Sequence, residues 1–136
     1  MIFEVNSTNV FDELLGHTLA VALLDAAIKT GKVAPAYLFS GPEGVGRRLA
    51  ALQFLEGVVT GGRPDIREKN RLEKMNHPDL MWVEPTYLSN GRLVSKSEAL
   101  KEGLKKSSPP QIRLEQIRDI TNFLAREPLE SPRGMI

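Results

Sequence analysis

The sequence predicts an α/β fold organised around a phosphate-binding loop, with helices against a parallel sheet, and three observations carry that prediction. Ala36-Tyr37-Leu38-Phe39-Ser40 is continuously apolar in character, as a strand covered on both faces is. Gly41-Pro42-Glu43-Gly44-Val45-Gly46 then turns through three glycines and opens a helical pattern at Arg47-Arg48. Inward-facing amides in such a turn, at the positive end of a helix, attract anions. Leu80-Met81-Trp82-Val83 supplies a second apolar run with strand character.

The spacing from Gly41 to Gly46 fits the pattern G-x-x-x-x-G-K-[ST]. Arg47 stands where that pattern places a lysine on the β and γ phosphates, and Arg48 stands where it places the hydroxyl that holds Mg²⁺. Arginine pairs with phosphate, often bidentately, but it is bulkier than lysine. Gly41, Pro42, Glu43, Gly44, Val45, Gly46, Arg47 and Arg48 are therefore read as a degenerate nucleotide- or anion-binding site. The amides of Gly44, Val45 and Gly46 are its donors, Arg47 is a phosphate partner, and ATP or a simple anion is the ligand. Without the metal-holding hydroxyl, hydrolysis is not expected, and no catalytic residue is assigned. The bland alternative is an inherited strand-to-helix turn that binds nothing.

The remaining elements follow in order. Residues 1–9 read as a mobile lead-in, and Phe11-Asp12-Glu13-Leu14-Leu15-Gly16-His17 as a compact apolar and acidic segment with Gly16 ending a turn. Leu19, Ala22, Leu23, Ala26 and Ala27 recur at helical spacing, with Thr18 as N-cap and Gly31 as stop. Beyond the loop, Leu49, Leu52 and Leu55 set the apolar face of a helix that stops before Thr60-Gly61-Gly62. The charged stretch from Asp65 to Met75 reads as an exposed helix or a solvated loop anchored by Ile66 and Leu72. Asn90-Gly91 between Tyr87-Leu88-Ser89 and Arg92-Leu93-Val94 is a hairpin signal. Ser95 or Ser97 caps a short helix through Lys105, and Ser107-Ser108-Pro109-Pro110 breaks the chain. Leu114, Ile117, Ile120, Thr121 and Leu124 draw a helical stripe. Gly134-Met135-Ile136 opens a third strand.

Composition narrows the function classes. A chain of 136 residues that is 41% hydrophobic can bury one core. A net charge of +1 is too close to balance for bulk electrostatic binding of nucleic acid. The absence of cysteine removes disulfides and thiolate-bound zinc. His17 and His77 are sixty residues apart and suggest no metal site, so turn and helix-entry roles are expected. Trp82 is read as core packing, and Lys101, Lys105 and Lys106 as a solvated helix face. No run approaches the roughly 18 apolar residues of a membrane span, and the acidic start argues against a signal peptide. A soluble, cytoplasmic protein without membrane partners is expected.

Four segments, taken together, are similar to a known family. Phe11 to His17, then Pro35 to Gly46, then Asn76-His77-Pro78-Asp79-Leu80, then Ile112-Arg113-Leu114-Glu115-Gln116-Ile117-Arg118 resemble, in that order, the bacterial clamp-loader subunits of the AAA+ superfamily. The resemblance is strongest to the delta-prime branch of DNA polymerase III, in a cyanobacterial-type version. It implies a three-layer P-loop sandwich with a parallel sheet, of which residues 1–136 form an incomplete N-terminal part. It also implies a rigid, non-hydrolysing, stator-like subunit that helps load the sliding clamp onto primed DNA. The implied partners are the tau/gamma and delta subunits and, through the assembled complex, the clamp and the DNA. Family members often carry a four-cysteine zinc module after the loop helix; here the charged stretch from Asp65 occupies that place, so no zinc is expected. Residues 85–110 look like a hairpin-plus-helix insertion. The Walker B, sensor and Ser-Arg-Cys segments are expected beyond Ile136. An active AAA+ ATPase with Arg47 in place of lysine, and a stand-alone P-loop NTPase or kinase, are the rival readings.

Overall fold

The computed structural model describes residues 9–136, so all but the last residue of the expected lead-in lies outside the described residues. The described chain is α/β, with five helices and one two-stranded antiparallel sheet. It divides into two compact units, residues 1–77 and 78–136.

The first unit is helical. Helix α1 (Thr18–Thr30) ends at Gly31, whose φ of 67° and amide bond to the Ile28 carbonyl form a left-handed cap. Its N-cap is His17 rather than the expected Thr18, and the His17 side chain makes no cap hydrogen bond because it is turned elsewhere. The buried side of α1 is Leu24 and Ile28, while Leu19 and Leu23 are 74% and 65% exposed. The face that packs is thus rotated from the one the spacing suggested. Helix α2 (Arg47–Thr60) likewise buries Ala50, Gln53, Phe54, Glu56 and Gly57, with Leu49, Leu52 and Leu55 only half-buried. The cause lies at Gly57: a Cβ there would stand 2.3 Å from Ile28 Cδ1, so α1 meets α2 over a missing side chain. Phe54 completes a core with Val10, Phe11, Leu24 and Ile28.

Helix α3 (Ile66–Glu73) realises the charged stretch as a helix, because Asp65 accepts from the amides of Arg67 at 2.8 Å and Glu68 at 3.3 Å. Of its two expected anchors, Leu72 is fully buried and Ile66 is 70% exposed. Glu56, buried in α2, accepts from the Asp65 amide at 3.1 Å and so joins the two helices.

The expected strand from Ala36 to Ser40 forms no ladder. Phe39 packs on the core and Tyr37 lies 4.6 Å from Phe54, but Leu38 is 91% exposed. A strand is defined by its hydrogen-bonded neighbour, and among the described residues none runs beside this segment.

In the second unit the expected strand from Leu80 to Val83 is reduced to one parallel bridge, Leu80 with Met135. The Met81 amide donates to Met135 O at 2.9 Å and the Met135 amide to Asp79 O at 2.8 Å. The third expected strand, at Gly134-Met135-Ile136, is that same contact, and its sense is parallel. The only ladder among the described residues is the Asn90-Gly91 hairpin, β1 (Thr86–Ser89) against β2 (Arg92–Ser95). Its turn residues take φ of 51° and 76°, the left-handed values that Asn and Gly tolerate. Helix α4 (Lys96–Lys101) starts from a capping box between Ser95 and Glu98 and stops short of Lys105 where Gly103 turns left-handed. Trp82, expected in the core, is half-buried.

Helix α5 (Leu114–Leu124) has the expected stripe but buries no residue. It is tied down by Gln116, which donates to Glu84 O at 2.9 Å and accepts from Thr86 Oγ1 at 2.9 Å and from the Arg113 amide at 3.0 Å. Asp79 fastens the segment after α5. Its carboxylate accepts from the amides of Leu129, Glu130 and Ser131 at 2.7–2.8 Å and from Ser131 Oγ at 3.0 Å.

Candidate functional site

The glycine loop is shaped by residues that tolerate what side chains resist. Gly44 and Gly46 have φ of 79° and 97°, a region in which a Cβ is strained. At Gly41 a Cβ would stand 3.1 Å from Val45 Cγ1, so the loop also folds tightly on itself. The Val45 amide donates to Pro42 O at 3.4 Å, which closes the turn. That bond removes Val45 from the three expected anion donors. The amides of Gly44 and Gly46 have no acceptor among the described residues.

Helix α2 opens directly from this turn. Gly46 is its N-cap, no side chain caps it, and its first turn contains no acidic residue. The first intrahelical bond is Ala50 N to Gly46 O at 2.9 Å, so the amides just before Ala50 have no carbonyl of the helix to meet. Arg47 and Arg48 are both exposed in this first turn, where the helix's own dipole is positive.

A cavity of about 520 Å³ opens here, lined by Phe39, Gly44, Gly46, Arg47, Arg48 and Leu49. The structure thus brings Gly44, Gly46, Arg47 and Arg48 together, while Gly41, Pro42, Glu43 and Val45 shape the turn behind them. The lining offers amide and guanidinium donors, which suit phosphate oxygens. Among the described residues the lining offers no hydroxyl or carboxylate side chain to hold Mg²⁺ or to orient a water. Among the described residues no group of three His, Cys, Asp or Glu side chains could hold a metal ion.

Two contacts behind the loop were not legible in its own motif. His17 Nε2 lies 3.0 Å from the Val45 carbonyl oxygen, across 28 residues of sequence. A Cβ on Gly46 would stand 3.1 Å from Leu14 Cδ1. Both residues belong to the Phe11–His17 segment, whose compactness was the available signal. His77 is buried with its Nε2 3.5 Å from the Glu68 carboxylate, a packing role at the end of the first unit. In the Lys cluster, Lys106 donates to Leu88 O at 3.2 Å and so serves the hairpin. No described helix is long and apolar enough to cross a membrane.

Comparison with known proteins places these features in a family context. The family model described as DNA polymerase III, delta subunit, matches residues 16–136. A DNA polymerase III subunit delta' of Bacillus subtilis is 37% identical over 90 residues, covering 62% of this chain and 27% of that protein. Two Arabidopsis thaliana proteins, STICHEL-like 1 and STICHEL, are 49% and 43% identical over 41 and 44 residues, about 4% of their own lengths. The chain therefore spans about a quarter or less of these relatives. No solved structure matches it.

Proposed function

The chain belongs to the DNA polymerase III delta-subunit family, and from that membership we propose that the protein is a structural, non-hydrolysing subunit of a replicative clamp loader. Its partners are the tau/gamma and delta subunits, and through the assembled complex it helps place a sliding clamp on primed DNA in the cytoplasm. One observation carries the non-hydrolysing part. The loop cavity has Arg47 and Arg48 where catalysis needs a lysine and a metal-holding hydroxyl, and no other lining residue among those described replaces them.

In this reading the loop keeps its affinity for a phosphate or other anion and has lost turnover. Gly44 and Gly46 offer amides, Arg47 and Arg48 offer charge, and ATP or a simpler anion neutralises the exposed positive end of α2. The parallel bridge between Leu80 and Met135 supports a parallel P-loop sheet of the AAA+ kind in the whole protein.

The test is the full-length protein, purified alone and mixed with the other loader subunits. Alone, it is expected to release no phosphate from ATP with Mg²⁺. In the mixture it is expected to join the complex and to be required for clamp loading on primed DNA. Mg²⁺-dependent turnover by the isolated subunit would favour an active AAA+ ATPase, and failure to enter the complex would favour a stand-alone NTPase or kinase.

A further inference from the structure

A glycine-rich loop does not choose its own conformation. Gly46 has φ of 97° and no Cβ, so on its side the peptide between Val45 and Gly46 can turn either face to the cavity at small steric cost, and something outside the loop has to select one. We propose that His17 is the positioning residue that makes this selection, with Leu14 as its backstop.

The geometry supports this in four steps. First, a carbonyl oxygen only accepts, so the 3.0 Å contact requires a proton on Nε2 of His17. Second, a trans peptide is planar, with its C=O and N–H on opposite sides. Holding the Val45 oxygen on His17 therefore turns the Gly46 N–H away from it, and Gly46 is the N-cap of α2 and part of the cavity lining. Third, Leu14 Cδ1 lies against the open side of Gly46, at 3.1 Å from the position of a Cβ, and limits the loop's retreat. Fourth, the segment that carries both residues is itself fixed. Asn9 and Asp12 bond one another's backbone, Phe11 is in the core, and Glu13 pairs with Lys69 of α3. The histidine thus reaches the loop from a rigid base, at the price of leaving α1 without a side-chain cap.

The functional consequence rests on the loop being an anion cradle, as proposed above, whereas the positioning itself does not. The experiment separates the two. Full-length protein labelled with ¹⁵N at glycine and histidine is compared with His17→Ala and His17→Gln. Glutamine places an amide donor the same number of bonds from Cβ as Nε2. Expected in the parent protein are an imidazole protonated at Nε2 and a Gly46 amide with an order parameter near ~0.85, falling below ~0.6 in His17→Ala and restored in His17→Gln. Inorganic pyrophosphate should bind roughly three- to tenfold more weakly to His17→Ala, the effect of one net hydrogen bond, with recovery in His17→Gln. An imidazole protonated only at Nδ1, or a Gly46 amide equally rigid in all three proteins, overturns the positioning role. Should His17→Ala fail to fold, the parent tautomer and the His17→Gln protein still decide it. A parent protein that ignores pyrophosphate ends the anion reading and leaves the order parameters to judge His17.

Discussion

Asp79 is 1% exposed, yet its surroundings favour the charged form. Burial opposes ionisation there, but three backbone amides and the Ser131 hydroxyl outweigh it and hold the carboxyl well below the usual carboxylate range. The sign follows from that depression. The stabilisation is fully present above the unfolded pKa, at about 4, and is lost as pH falls from there toward the folded value. Asp79→Asn aims an amide group at donors and is expected to cost about 2–3 kcal/mol at neutral pH. Urea unfolding followed at Trp82, in the same unit, checks this: the gap between parent and variant should narrow in acid, and a gap constant from pH ~7 to ~3 would refute it. Glu56 behaves in the opposite sense. Desolvation raises its pKa, only partly offset by the Asp65 amide. A carboxyl with a raised folded pKa contributes most below its unfolded pKa, and that contribution fades as pH rises through the folded one. Glu56→Gln is therefore expected to stabilise the fold at neutral pH and to lose that advantage in acid; thermal melts at neutral and acidic pH read the difference.

Among the helices, the contact of α1 with α2 turns on Gly57. Glycine-to-alanine changes inside a helix usually gain close to 1 kcal/mol. Here the new methyl meets Ile28 Cδ1 at 2.3 Å and Val10 Cγ2 at 3.3 Å, and Ile28 is also close to Gly62, so it has little room to move. Gly57→Ala should be net destabilising by about 1 kcal/mol, and pairing it with Ile28→Val should recover part of the loss in a melting experiment. The same contact explains what was and was not legible in the sequence. Elements set by local chemistry were readable: the Gly31 stop, the Asn90-Gly91 hairpin, the Ser95 capping box and the extent of α5 all depend on residues within a few positions. Helix faces were not, because Gly57 decides which side of α1 and α2 is buried and a glycine adds nothing to an apolar count. The strand at Ala36–Ser40 was read from hydrophobicity, whereas a strand exists only with a partner. At the loop, its residues could be named from spacing, but the hydrogen bond that spends the Val45 amide and the support from His17 and Leu14 depend on tertiary approach.

At the scale of the whole molecule, the described surface leaves large apolar side chains in the open. Leu114, Ile117 and Leu124 are 65%, 46% and 54% exposed along one stripe of α5, and Leu19 and Leu38 are more exposed still. Scattered exposed leucines are ordinary, but an ordered helical stripe with no buried residue marks a surface that gains from being covered. The 136-residue chain is therefore expected to self-associate with rising concentration in sedimentation velocity. Ile117→Glu with Leu124→Glu should shift it toward monomer. Both positions are roughly half exposed, so the change in folding stability is expected to stay within about 0.5 kcal/mol per site. That insensitivity makes the pair informative, since a loss of association without a loss of melting temperature assigns the stickiness to α5. A parent chain that stays monomeric at every concentration would instead mean that the stripe is too narrow to bind anything, and a variant pair that associates as before would move the adhesive surface to α1 and Leu38.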